Sequence, residues 1–412
     1  MTTTRRDFLQ LLGTAGIVSL GTIPPQFLTR AAQAAPGIAA RDKRVLVLIQ
    51  LAGGNDGLNT LVPYADPAYE KARPGIGISK GQVLKLNDSV GLHPSLTGMR
   101  ELYDEGKVSI VQGIGYPNPD RSHFRSMDIW QSAQPLNENP RDGWLGRALE
   151  WQFDRQPALA EALSLGTDKL PLAFVSTRVN VPTLRRLEEF QLVDGQATVA
   201  NRNLTRAAQR QLADKPSTSG SELDFLRRAT TTALTSAERL KSLSASYRTT
   251  VSYPGTSLAS KLKLIAQMLT ADLPARVFVV SLDGFDTHSG QLPGHAALMA
   301  ELSGAIRAFE QDLVEHKLSD RVLLATYSEF GRRVVENGSL GTDHGAASML
   351  FAVTPSERSG LHGKYPSLTD LTDGDLKFNI DFRSVYATML DKWLEIPSAG
   401  ILGGEFSPIP IV

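Results

Sequence analysis

The run Lys43-Arg44-Val45-Leu46-Val47-Leu48-Ile49-Gln50-Leu51, closed by Ala52-Gly53-Gly54, leaves little choice of fold. Apolar side chains at consecutive positions fall on both faces of an extended strand. Such a strand must be covered from both sides, the condition met in a parallel sheet between two helical layers. Similar runs recur at residues 108–111, 172–175, 277–282, 322–326 and 349–353, and each is read as a strand. Between them, residues 96–105, 293–316 and 382–394 carry apolar side chains at three- and four-residue spacing, the pattern of a helix with one buried face. The alternation predicts an α/β fold: a mostly parallel sheet with right-handed crossovers and helices on both faces.

The N-terminal residues read as an address and not as structure. Thr4-Arg5-Arg6-Asp7-Phe8-Leu9-Gln10 is a twin-arginine export motif, followed by a modestly apolar stretch from Leu11 to Ile23 and an A-x-A cleavage site at Ala32-Gln33-Ala34. Spanning a bilayer takes roughly 20 apolar residues, and this stretch is too short and too rich in Gly and Thr. The expectation is a signal peptide over 1–34, a mature chain from Ala35, and a periplasmic or secreted protein whose first partner is the twin-arginine export machinery. Residues 35–412 are read as one α/β domain. It includes a helical insertion at about 195–250, where the loop Lys215-Pro216-Ser217-Thr218-Ser219-Gly220 precedes a helix with Phe225, Ala229, Ala233, Ala237 and Leu240 near one face. No later run is long enough for a stable membrane span.

Removing residues 1–34 takes away three arginines and one aspartate, leaving 40 basic and 42 acidic side chains and a formal charge of −2. Nothing in that balance argues for nucleic acid or an anionic membrane as a partner. The chain has no cysteine, which excludes disulfides, thiolate metal ligands and a cysteine nucleophile. Any metal site has to be built from His, Asp, Glu and other oxygen donors.

In an open α/β sheet, ligands sit beyond the C-terminal ends of the strands. Asn55-Asp56, then Asp283, Asp286 and His288 in SLDGFDTHSG, and Glu329 all follow strand patterns in that way, and GTDHG adds Asp343 and His344. One such acid is ordinarily a turn former or helix cap. Asp286 and His288 are two apart, so an extended loop points them the same way. Carboxylates and imidazoles so placed suit a divalent ion, His favouring Zn²⁺ and several carboxylates Mn²⁺. A further segment, Pro117-Asn118-Pro119-Asp120-Arg121-Ser122-His123-Phe124-Arg125-Ser126, opens a helix near Ser122. The first-turn amides would form an anion site that Arg121 or Arg125 could complete. The plainer use of Ser122 is as the helix N-cap. His316, among charges on a helix, is read as solvated surface.

Through LAGGNDGLNTLVPY, LHPSL, SHFRSMDIW, SLDGFDTHSGQ, YSEFGR and GTDHG, nearly the whole mature chain resembles the DUF1501 proteins, a twin-arginine-exported family of unknown function. That family is itself similar to the alkaline phosphatase and sulfatase superfamily. The resemblance implies an alkaline phosphatase-like fold with one or two metal ions. Leu92-His93-Pro94-Ser95-Leu96 stands where the superfamily has its Thr-Pro-Asn segment, and Ser122 where it has the nucleophile. Asp283 or Asp286 with His288 stands where it has an Asp and a His after a strand, and His344 where it has its last metal histidine. The chain departs from that pattern in two places: Asp56 comes late after the first strand, and Glu329 replaces an Asp-His pair. No Cys-x-Pro-x-Arg or Ser-x-Pro-x-Arg motif is present, against a formylglycine-type sulfatase.

The expected function is an exported, metal-dependent hydrolase of phosphate or sulfate esters acting on a small anionic ester or glycan. Ser122 is its nucleophile, Arg125 its anion-binding residue and His123 a reserve candidate with His93. Asp56, Asp283, Asp286, His288, Glu329, Asp343 and His344 supply ligands or their supports. The alternative is a non-catalytic exported binding protein that keeps the scaffold.

Overall fold

The computed structural model describes residues 44–155, 162–166, 169–179, 181, 183, 184, 247–273 and 275–412. The signal peptide expected at 1–34 lies outside them, as does the insertion expected at 195–250 up to residue 246.

Among the described residues, nine strands make the main sheet. They are β1 Val45–Ala52, β2 Val108–Gly115, β3 Ala162–Leu165, β4 Thr183–Leu184, β5 Val277–Asp283, β6 Val322–Tyr327, β7 Ser348–Val353, β8 Gly360–His362 and β9 Ile380–Asp381. Their order is β8-β2-β7-β6-β1-β5-β3-β4, with β9 also pairing β2. Every pairing is parallel except those of β7 with β2 and β6. The helices that matter below are α1 Gly57–Thr60, α2 Thr97–Asp104, α3 His123–Ser132, α4 Trp144–Arg155, α5 Ser257–Thr270, α6 Gln291–Glu315 and α7 Phe382–Ala387.

Strand β1 shows why the apolar runs are continuous. Val45, Val47, Ile49 and Leu51 enter a core with Met99 of α2, Leu262 and Ile265 of α5 and Ile306 and Phe309 of α6. Leu46 and Leu48 face the opposite way, into a core with Trp130 of α3, Trp144 of α4 and Tyr386 of α7. Both faces of the sheet are therefore covered by helices. Each fully buried aliphatic side chain contributes about 1.5–3 kcal/mol, and the one polar side chain of β1, Gln50, is only partly buried and accepts hydrogen bonds from Gln131 and Tyr327.

Residues 172–175, expected as a strand, instead form a 3₁₀ turn at Leu172–Phe174. Pro171 has no N–H to give a ladder. The Ala173 N–H donates to Gln131 Oε1 at 3.3 Å, and the Val175 carbonyl accepts the Gly143 N–H at 3.0 Å. The run buries Ala173 and Phe174 against helices without joining the sheet. Its place beside β5 goes to β3. The helix expected over 382–394 is α7 continued by a π-helical stretch, Thr388–Leu394.

Strand β7 is present where expected but runs antiparallel. No helix lies between β6 and β7, so the chain turns back at the same end of the sheet. The whole 328–347 connection, with Glu329, Asp343 and His344, is thereby kept at the C-terminal rim.

Candidate metal centre

The loops at this rim approach one another closely, and two glycines allow it. Gly53, directly after β1, has φ +117°, and a Cβ there would meet the Asp286 nitrogen at 2.4 Å. A Cβ on Gly341 would meet the His288 carbonyl carbon at 2.2 Å. Phe285 donates its N–H to the Ala52 carbonyl at 3.1 Å, and its ring is buried. Asp286 and His288 follow that anchor and emerge together, as the period of an extended chain requires. The loop's far side is held by Thr342 N–H to the Thr287 carbonyl at 3.2 Å and by the Asn337 amide donating to the His288 carbonyl at 2.9 Å.

Three imidazoles converge on the Asp286 carboxylate. His288 Nε2 lies 3.0 Å and His344 Nε2 3.1 Å from Oδ1, and His123 Nε2 lies 3.4 Å from Oδ2. His288 Nε2 and His344 Nε2 are themselves 3.0 Å apart. Each ring has its other nitrogen against an acceptor: His344 Nδ1 against the Arg121 carbonyl at 2.8 Å, His123 Nδ1 against Glu329 Oε1 at 3.0 Å, and His288 Nδ1 against Asp343 Oδ1 at 3.4 Å. A carbonyl can only accept, so His344 carries its proton on Nδ1, and the carboxylates favour the same tautomer for the other two. In their neutral forms all three rings then aim an Nε2 lone pair at the same region.

Glu329 is buried, and its Oε1 also accepts the Gly53 N–H at 2.8 Å, which ties the end of β1 to the His123 ring. Arg332, which the sequence reading did not single out, is buried as well. It donates to the carbonyls of Gly54 at 2.7 Å, Thr342 at 2.7 Å, Phe285 at 2.9 Å and Gly53, and to Asp286 Oδ1 at 2.7 Å. One guanidinium thus fastens three rim loops and orients the carboxylate. Its signal was present in YSEFGR: a charged side chain three residues after Glu329 in an otherwise buried stretch. Partial burial alone would raise the Asp286 pKa, but the hydrogen bond and positive charge of Arg332 outweigh it and hold the carboxyl at about 2. The Asn337 amide, followed by His288, keeps Asp343 below the usual carboxylate range.

Other expected site residues are placed elsewhere. Asp56 is buried with both oxygens occupied. Oδ2 pairs with Arg73 at 2.6 Å and accepts from Gln291 at 2.5 Å, while Oδ1 caps α1 through the Leu58 and Asn59 N–H groups. Burial would raise its pKa, yet the Arg73 ion pair holds it low. Its work is structural, because no oxygen is left for a cation. Asp283 ends β5 with Oδ1 accepting the Ser281 hydroxyl at 2.6 Å, apart from the cluster. Arg125 donates to the carbonyls of Asn137 at 2.7 Å and Pro135 at 2.8 Å, one bond from each terminal nitrogen. Ser122 is exposed at the N-cap position of α3, and its side chain makes no capping hydrogen bond. His93 is buried edge-on to His295, with ring centroids 5.5 Å apart, and is not in the cluster. His316, expected on the solvated surface, is 17% exposed, 3.0 Å from Asp312 and stacked on Tyr247.

The donor set suits a divalent cation. The ligand atoms of His123, Asp286 and His344 lie within 4.8 Å of one another, and His288 Nε2 lies 3.0 Å from both Asp286 Oδ1 and His344 Nε2. Imidazole nitrogens whose far sides are held by carboxylates or a carbonyl, beside a deprotonated carboxylate, are the outer-sphere arrangement typical of metal-binding histidines. Nitrogen-rich sites with one carboxylate fit Zn²⁺, and Mn²⁺ is compatible. Among the described residues, no helix is long and apolar enough to cross a membrane.

In sequence, residues 42–394 match a family described as protein of unknown function, DUF1501. No curated protein matches the chain. Among solved structures, it is similar to the PsFucS1 sulfatase from Pseudoalteromonas sp., at 12% identity over 94% of this chain and 75% of that one, with a TM-score of 0.40. It is similar to the zinc complex of the C-terminal periplasmic domain of EcEptC from Escherichia coli, at 8% identity over 82% and 78%, with a TM-score of 0.37. It is also similar to the lipoteichoic acid synthase LtaP from Listeria monocytogenes, at 10% identity over 82% and 73%, with a TM-score of 0.36.

Proposed function

The chain belongs to the DUF1501 family of unknown function, and from that premise we propose that it is an exported, metal-dependent hydrolase of phosphate or sulfate esters. The observation that carries the reading is the convergence of three Nε2 atoms on the Asp286 carboxylate, each ring held from behind. His123, Asp286, His288 and His344 would hold the ion, Zn²⁺ or Mn²⁺. A divalent cation there supplies Lewis acidity, which stabilises charge on the transferred group's oxygens and lowers the pKa of a nearby hydroxyl.

The chain's own residues do the rest. Glu329, Asp343 and the Arg121 carbonyl fix which imidazole nitrogen faces inward, and Arg332 keeps the Asp286 carboxylate ionised and oriented. Ser122 is the proposed nucleophile. It precedes His123 at the start of α3, its hydroxyl is free of the capping bond, and the first-turn N–H groups of the helix favour an anion beside it. The substrate is a small anionic ester or glycan, and the twin-arginine motif supports a periplasmic or secreted site of action.

The test is elemental analysis of the purified mature protein together with turnover of aryl phosphates and aryl sulfates by the wild type and Ser122→Ala. The reading expects about one or two metal equivalents in both proteins and turnover only in the wild type. Metal-free protein, or turnover unaffected by Ser122→Ala, would overturn the hydrolase or its nucleophile respectively. A metal-free, inactive protein would leave the alternative of a binding protein on this scaffold.

A further inference from the structure

Beside the metal-binding cluster, two arginines from separate segments share one buried carboxylate. Asp375 sits on a two-residue hairpin, Thr372 pairing with Asp375 around Asp373 and Gly374, both at positive φ (51° and 85°). That geometry belongs to a tight primed turn, which gives the carboxylate a defined position. Its side chain is 3% exposed. Arg121 binds it closely, with Nε donating to Oδ2 at 2.7 Å and a terminal nitrogen on the same oxygen. Arg333 is looser: its Nε is 3.7 Å from Oδ1, and Oδ1 makes no hydrogen bond.

One guanidinium balances the charge of a buried aspartate, and Arg121 already supplies it through Oδ2. The second guanidinium is not required for that compensation and stands beyond hydrogen-bond distance. Arg333 Nη1 and Nη2 make no hydrogen bond to the described residues, and both arginines remain over a third exposed, at 38% and 37%. Both are also wired to the cluster through the main chain. The Arg121 carbonyl accepts from His344 Nδ1 at 2.8 Å, and the Arg333 N–H donates to the Asp343 carbonyl at 3.0 Å.

We propose that Arg121 and Arg333, spaced by Asp375, form an oxyanion subsite that binds a second sulfate, phosphate or carboxylate group of the substrate, apart from the ester being cleaved. The inference rests on the hydrolase reading and narrows it to polyanionic substrates. Guanidinium forks bind such groups through paired N–H donors. The loose Arg333 is the residue free to close on the incoming group, while Arg121 keeps the carboxylate neutralised.

The experiment titrates inorganic sulfate by calorimetry into chelator-treated and metal-loaded protein, wild type, Arg333→Gln and Arg333→Lys, with metal equivalents measured in parallel. The subsite predicts sulfate binding by the chelator-treated wild type that weakens at least about tenfold in Arg333→Gln, less in Arg333→Lys, with melting temperature and metal content unchanged. Absence of sulfate binding in the chelator-treated wild type, or equal affinity in wild type and Arg333→Gln, overturns it. If Arg333→Gln loses sulfate while no variant holds metal, the oxyanion subsite stands and the hydrolase reading falls. If metal loads normally and sulfate ignores Arg333, the subsite alone falls.

Discussion

His288 and His344 bring their Nε2 atoms to 3.0 Å from one another. His344 has its proton on Nδ1, facing the Arg121 carbonyl, and His288 has Asp343 behind its own Nδ1. Two lone pairs and the Asp286 carboxylate at this range repel one another unless a positive charge lies among them, a proton or a metal ion.

A ligand that binds only the folded state raises stability, by about 4 kcal/mol at a thousandfold excess over its dissociation constant. Chelation should therefore lower the melting temperature of the wild type, and His288→Ala and His344→Ala should show no such drop. A wild-type melting curve indifferent to both chelator and added Zn²⁺ would count against the metal centre.

Glu329 Oε1 lies 3.0 Å from His123 Nδ1, and the proposed site gives it the support of that ring in place of direct ligation. Glu329→Gln keeps the shape but loses the charge that holds the Nδ1 proton, so metal affinity should fall about 10–100-fold, as for other outer supports. Asp343, half exposed and 3.4 Å from its histidine, should matter less when changed to Asn. The check is competitive metal titration against a chromogenic chelator. A larger loss in Asp343→Asn than in Glu329→Gln would contradict the ordering.

Asp56 and Asp286 separate structure from binding. Asp56→Asn leaves Arg73 buried without its counter-charge and should cost about 3–5 kcal/mol, read as a lower urea midpoint, with metal content retained in the folded protein. Asp286→Asn should do the reverse, losing metal with a smaller change in metal-free stability. Loss of metal from folded Asp56→Asn would return that residue to the ligand set.

Acid should weaken the fold in a defined window. Burial pushes His295 and His93 down to about 4 from an ordinary value of 6.5, the second also by the nearness of the first. Between those values the unfolded chain binds more protons than the native one, so stability falls as pH drops from about 6.5 to about 4 and this contribution levels off below. Above 6.5 both states are neutral and the slope vanishes. Urea midpoints across this range should show the decline, and His295→Gln should flatten it; an equal slope in that variant would exclude His295 as a source.

What the sequence determined by itself is the part of this protein set by local patterning. The longer continuous apolar runs are satisfied by strands covered on both faces, so β1, β5 and β6 were legible, and with them the rim where Asp286, His288 and Glu329 emerge. The two-residue spacing put Asp286 and His288 on one side. Tertiary structure decided which acid does which work, since that depends on partners far away in the chain. Asp56 resembles Asp286 in sequence, but Arg73 and Gln291 occupy its Oδ2 and the first amides of α1 its Oδ1. Ser122-His123 read as a helix start, and only packing of α3 against the rim brings His123 to Glu329, 206 residues away. Residues 172–175 could have been strand or turn, and hydrogen bonds to Gly143 and Gln131 made them a turn. Periodicity reports which side of an element is buried; the charge that faces a carboxylate across a sheet rim is a long-range contact, and it forms only when the chain has folded.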